Sequence, residues 1–164
     1  MRGAARLPAT ARLAPAEELA RGGYVLWDSF ASDALDGRRS AAAAAAPELI
    51  LISTGAEVSP TLQAAHALAE DGVAARVVSM PCVELFEAQP QVYRERVLPP
   101  AVGARLAIEP GASLSWWRWV GDGGEVLGLD RFGASAPGSR VLEELGFSAQ
   151  NIAARARALL QSTT

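Results

Sequence analysis

A chain of 164 residues, half of them hydrophobic, has enough apolar surface to bury the core of one ordinary domain; that excludes a disordered polypeptide, and no second domain is expected within it. The formal net charge of -3 gives no general attraction to nucleic acid or to anionic lipid. All 15 basic residues are arginine, a compositional bias that goes with abundant alanine and glycine and is no evidence of phosphate binding.

The first 16 residues, MRGAARLPATARLAPA, hold no acid and by composition resemble an organelle transit peptide, but Pro8 and Pro15 interrupt any amphipathic helix and a linker or arm is the plainer reading. Glu17 to Arg21 suits a short helical turn before Gly22-Gly23, and Tyr24-Val25-Leu26-Trp27 reads as a first strand. Asp33 to Ala46, with Arg38-Arg39 and a run of alanines, reads as a surface loop carrying a short alanine helix. Pro47 to Met80 is then a βαβ unit. Leu49, Ile50, Leu51 and Ile52 do not alternate with polar residues, so their strand is expected to be covered on both faces, as in a parallel sheet between helices. From Val58, Leu62, Ala65 and Ala69 share a helix face; Ser59 and Pro60 suit an N-cap and first helical residue, and Gly72 a left-handed stop. The crossover is expected to be right-handed. Thr54-Gly55-Ala56-Glu57 is no glycine-rich phosphate loop, and it puts a carboxylate where a phosphate would sit. His66, the one histidine, has no second histidine in the chain and reads as structural or exposed.

Cys82 to Val97 carries a helical pattern closed by Pro99-Pro100. Cys82, alone, forms no intramolecular disulfide or cysteine cluster; a small packed residue in a reducing, cytoplasmic setting is expected. Glu84 and Glu87 share a face there and read as wet surface more than as an acid and base pair. Arg105 to Glu109 forms the next strand, and Gly111-Ala112-Ser113 opens a helix through Val120. Trp116, Trp117 and Trp119 crowd that helix. Aromatics beside Arg118 suit a stacking platform, but an acidic chain supplies no basic groove, so core or a subunit interface is the better reading. Gly121-Asp122-Gly123, with Asn151 further on, resembles the opening of the metal signature of thiamine-diphosphate enzymes. It precedes the apolar run Val126-Leu127-Gly128-Leu129, however, and reads as a tight turn into the last strand. Asp130 to Gly138 then leaves that strand's carboxyl end, Ser139 suits the cap of a helix through Leu145, and Ser148 caps a last helix to Leu160. No apolar run approaches the ~20 residues of a membrane span.

Arg21 to Leu26, Leu51 to Val58, Val77 to Pro81 with Glu84-Leu85-Phe86, Tyr93-Arg94, Val97 to Pro100 and Asp130 to Pro137 together resemble the C-terminal domain of transketolase, in register from about Arg6 to Leu160. The resemblance implies a three-layer α/β/α sandwich with a mixed five-stranded sheet whose first strand is antiparallel. It makes residues 1–20 an arm or interdomain linker and 21–164 the domain, so that the chain would begin almost where the family's pyrimidine-binding domain ends. In the family, thiamine diphosphate and Mg2+ serve the transfer of two-carbon ketol units between sugar phosphates, and those sites lie in the N-terminal and pyrimidine-binding domains. No catalytic, cofactor or metal residue is therefore expected in this chain. Pro110 where the family usually has Ala, Arg118 for Lys, and the alanines near Ala41 to Ala46 are departures.

Three readings follow. The chain is one component of a split transketolase, with the cofactor-binding domains on a separate chain or with self-association; or it is a free-standing binding or regulatory module; or it is a truncated remnant or a domain taken by itself. No nucleic acid or membrane partner is expected. The candidate interface comprises Trp116, Trp117 and Trp119 together with Arg131, Phe132, Gly133, Ser135 and Pro137, whose small residues admit a close backbone while Phe132 and Pro137 add rigid apolar contact.

Overall fold

The computed structural model describes residues 13–30, 46–130 and 144–163. Five strands, β1 (Tyr24–Asp28), β2 (Leu49–Ser53), β3 (Ala75–Ser79), β4 (Arg105–Ile108) and β5 (Glu125–Leu127), form one sheet in the order β1-β3-β2-β4-β5. β1 runs antiparallel to β3 and the other pairs are parallel, as the resemblance implies. All five residues of β2 are fully buried, which explains why its sequence does not alternate. Leu49 and Leu51 face one core, with α1 (Val58–Glu70) and α5 (Ala149–Thr163); Ile50 and Ile52 face the other, with α2 (Val83–Glu87), α3 (Gln91–Val97) and α4 (Trp117–Val120).

Local chemistry sets the element ends. α1 begins two residues earlier than expected, after a 3₁₀ turn over Gly55–Glu57, so that Ser59 is no cap and Pro60 is the third helical residue. The first-turn N–H groups have no partner within the helix, and a proline there costs none. Thr61 donates its hydroxyl to the Glu57 carbonyl at 2.7 Å. Gly72 takes φ 89° after the last turn, as expected. The helix expected over 82–97 is two helices, because Pro90 cannot continue α2 and sits in extended conformation as the cap residue of α3. The helix after Gly111 is likewise a 3₁₀ turn, Ser113–Ser115, followed by α4. The Ser148 hydroxyl accepts the Asn151 N–H at 3.2 Å and caps α5 as expected. The alanines 41–45 and most of the helix expected after Ser139 lie outside the described residues.

β1 sits at an edge and is held by side chains as well as by its ladder. Arg76 of β3 reaches the Asp28 carboxylate twice, at 2.8 and 3.0 Å, and donates to the Arg96 and Val97 carbonyls at 2.7 and 3.2 Å. Nearly nine-tenths of both charged side chains is buried, so removing either partner strands the other charge. The Tyr93 hydroxyl donates to the Gly23 carbonyl at 2.9 Å. Gly22 packs its backbone against α2, where an added Cβ would lie 2.4 Å from the Cys82 carbonyl oxygen, and its φ is 79°. Gly22→Ala is therefore expected to destabilise the chain by roughly 2–4 kcal/mol, from left-handed strain plus overpacking. Gly72→Ala, where nothing lies within 4 Å of the added carbon, should cost only about 1 kcal/mol. Urea denaturation of the two variants beside the parent checks the difference.

Candidate functional site

The three tryptophans divide. Trp116 and Trp119 are buried in the α2–α4 core, where the Trp119 ring lies 5.3 Å from Phe86. Trp117 is 47% exposed and Leu114, one helical turn before it, is 83% exposed. Of the three candidate rings, Trp117 alone is open to a partner. The other exposed large apolar side chains among the described residues are Leu19 on the N-terminal 3₁₀ turn Ala16–Arg21, Leu85 on α2 and Val92 on α3. Four of these five belong to the α2–α4 layer, and none to α1 or α5.

Arg131, Phe132, Gly133, Ser135 and Pro137 lie outside the described residues. The root of their loop is described. Asp130 accepts the Ser113 N–H at 3.0 Å and its hydroxyl at 2.8 Å, and Leu129 N–H reaches the Gly111 carbonyl at 2.9 Å. The Ser113 hydrogen bonds hold the Asp130 carboxyl below its usual range. The chain thus leaves the sheet for Arg131 beside the turn that carries Leu114 and Trp117.

A second constellation, which sequence reasoning did not single out, lies at the carboxyl ends of β2 and β4. Connections from β2 run through α1 to β3 on one side, while β4 pairs on the other, so this is the point where strand order reverses. Glu57, just after β2, is 6% exposed, and burial pushes its carboxyl above the usual range. Glu109, just after β4, is raised by burial first and then by the charge of Glu57. Glu109 Oε2 and the hydroxyl of fully buried Ser53 have no hydrogen-bond partner. The signal available in the sequence was the pair of strand-terminal glutamates, but nothing in their spacing of 52 residues places them together.

The remaining candidates separate. Glu87 binds Arg118 in two hydrogen bonds, at 2.6 and 3.1 Å, whereas Glu84 accepts the Cys82 thiol at 3.4 Å, so they form no acid and base pair. Cys82 is half-buried rather than packed away. The His66 ring lies 4.5 Å from that of Trp27, tilted 50° to it, with its Nε2 buried and unpartnered, a structural placement. Gly121 to Gly124 is a turn, closed by the Gly124 N–H on the Gly121 carbonyl at 3.1 Å, and it enters β5 at its amino end. Asn151 donates its amide to the Gly146 carbonyl at 2.7 Å. Among the described residues no group of three or more His, Cys, Asp or Glu is arranged to hold a metal ion, and no helix is long and apolar enough to cross a membrane.

The sequence model of the transketolase-like TK C-terminal domain matches residues 38–148. The transketolase of Geobacillus stearothermophilus is 49% identical over 154 residues, which are 94% of this chain and 21% of that protein. That of Mycobacterium tuberculosis is 45% identical over 147 residues, 90% of this chain and 20% of that one. The chain therefore spans about a fifth of the length of these relatives. Among solved structures, transketolase from Leishmania mexicana superposes with a TM-score of 0.74 at 30% identity, covering 93% of this chain and 20% of its own. A split gene transketolase, described as an inactive β4 tetramer, shares the fold with a TM-score of 0.53 at 19% identity, over 71% of this chain and 40% of its own.

Buried Glu57 and half-buried Glu109 make stability depend on pH. Both groups have folded values raised above the ordinary 4.5, so the folded chain keeps protons that the unfolded chain has lost, and stability falls as pH rises from 4.5 through the raised values. Glu109→Gln removes one carboxyl and its repulsion on Glu57. Its thermal midpoint, followed by circular dichroism, is expected to exceed the parent's at pH 7.5 and to converge with it below pH 4.5.

Proposed function

The chain belongs to the transketolase-like TK C-terminal domain family, and from that membership we propose that it serves as the C-terminal domain of a transketolase-type transferase of two-carbon ketol units between sugar phosphates. The observation that carries the reading is that nine-tenths of this chain aligns with only a fifth of each whole enzyme, so the chemistry belongs to the other four-fifths. Thiamine diphosphate and Mg2+ would supply the carbanion chemistry there.

The described residues of this chain do not fit that cofactor. Asp122 stands in a turn at the amino end of β5, whereas anionic cofactors of open α/β sheets sit beyond carboxyl ends. Asn151 is engaged with Gly146, and the carboxyl edge presents Glu57 and Glu109, which repel a diphosphate. The domain contributes rigidity and contact surface. Leu114 and Trp117, on the short turns after β4, with Leu85 and Val92 on the same layer, form the apolar side offered to the cofactor-binding domains, whether on the same chain or a separate one. The split gene transketolase is inactive as its β4 tetramer, and the reading extends that inactivity to this chain taken alone.

Two measurements test it. Calorimetric titration of the chain with thiamine diphosphate and magnesium is expected to give no heat of binding; stoichiometric binding abolished by Asp122→Ala would overturn the assignment of the cofactor to other domains. Mixed with a transketolase fragment that lacks this domain, the chain should associate and restore ketol transfer. Trp117→Ala should weaken that association by roughly 1–3 kcal/mol, as an interfacial aromatic anchor does, with unchanged thermal unfolding. No association by sedimentation would sink the interface reading.

A further inference from the structure

On the α2–α4 layer, toward the amino end of β4, a cleft of about 270 Å³ opens between α2, α3 and α4. Three guanidinium groups line it, those of Arg94, Arg105 and Arg118, along with the rings of Phe86 and Trp119. Its one carboxylate, Glu95, is occupied by the Gln91 amide at 2.6 Å. Arg105 is anchored by four backbone carbonyls, those of Val102, Trp119, Leu98 and Pro99, at 2.9, 2.9, 3.3 and 2.8 Å. Those bonds fix its position without neutralising it, and among the described residues no carboxylate pairs with it.

Two further polar atoms of the lining have no partner: Arg94 Nε and Trp119 Nε1, both buried, the latter on a residue only 7% exposed. Each is a pure donor, as are all the nitrogens of an arginine side chain. The cleft therefore holds more donors than acceptors, Glu95 being its one carboxylate. Unsatisfied buried donors cost free energy, as does a half-buried guanidinium without a counter-charge, and burial already disfavours the charge of Arg105. A single oxyanion supplies acceptors and negative charge at once. Arg118 lines the cleft with its guanidinium 4.8 Å from the centre of the Trp119 ring, and among the described residues the exposed Glu87 carboxylate binds it there.

We propose that this cleft is a binding site for a small phosphate-bearing anion, held by Arg94 and Trp119 at its base, by the fixed charge of Arg105, and by Arg118 released from Glu87. Its volume lies below that of common cofactor pockets, which suits inorganic phosphate or a small phosphate ester. Guanidinium groups in number favour the three oxygens of phosphate over the two of a carboxylate. The cleft opens on the same α2–α4 layer as the contact surface proposed above, but the argument for it rests on its own donors, and phosphate titration of the isolated chain tests it apart from that surface.

Titration of the full chain with inorganic phosphate at constant ionic strength, followed by the assigned Trp119 indole N–H resonance, tests the proposal. A saturable shift is expected with phosphate and none with chloride. Arg94→Gln should weaken binding roughly tenfold or more, the effect of one charge-assisted hydrogen bond, and Arg94→Lys, which keeps the charge but lacks Nε, should weaken it as well. Glu87→Gln, which frees Arg118, should tighten it. Absence of a saturable shift would overturn the site, as would an unchanged affinity in Arg94→Lys, which settles the matter even where Arg94→Gln fails to fold. Acetate acting as strongly as phosphate would overturn the assignment to phosphate.

Discussion

Everything in this fold follows from the burial of β2. With all five of its residues withdrawn from water, neither face of the strand tolerates exposure, and the chain has to supply helices on both sides of the sheet. α1 and α5 meet the demand on one face with alanine-rich surfaces, Ala64, Ala65, Ala153 and Ala156, that let backbones come close. The opposite face is covered differently. Short helices α2, α3 and α4 cannot bury a long stripe each, and large rings, Phe86, Tyr93, Trp116 and Trp119, fill the space between them.

That difference has a polar consequence. Short helices leave carbonyls without intrahelical partners over most of their length. Arg76 and Arg105 reach in from β3 and β4 to satisfy them: Arg76 on Arg96 and Val97, Arg105 on Leu98, Pro99, Val102 and Trp119. One of these cations is matched by Asp28, and the other is not matched among the described residues. The bulky, irregular layer is thus also the layer where positive charge accumulates and where apolar side chains remain exposed.

The parallel core was legible in the sequence because its signals are local. An unbroken apolar run at Leu49 to Ile52 and helical spacing from Val58 to Ala69 followed by Gly72 specify β2 and α1 with little help from the rest of the chain. That the first strand runs antiparallel came only with the family resemblance, and its pairing with β3 only with the structure, because pairing at an edge depends on Arg76, Asp28 and Tyr93, contacts 48 and 70 residues apart in the chain. The helix over 82–97 was misread where apolar spacing continued across Pro90; a proline restart overrode periodicity. Of the tryptophans, adjacent positions in one turn face opposite ways, so composition flagged the cluster but could not say that Trp117 points outward while Trp116 packs in. The carboxyl pair and the arginine cleft were invisible for the same reason: each gathers residues from separate elements whose spacing carries no period.

Electrostatics then separate this domain from most of its architecture. Open α/β sheets ordinarily hold anionic ligands at the carboxyl edge, where strand order reverses and helix N-termini add positive potential. Here the described part of that edge carries Glu57 and Glu109, both disfavoured as anions by burial and Glu109 further by the charge of Glu57, which makes it a poor host for a diphosphate. The uncompensated guanidinium of Arg105 sits at the amino end of the same β4 strand that Glu109 follows. A strand of four residues thus separates a site that excludes anions from one that lacks them. The common fold rule, applied to the backbone alone, points to the carboxyl edge; the charges of these side chains point to the opposite end of the strand.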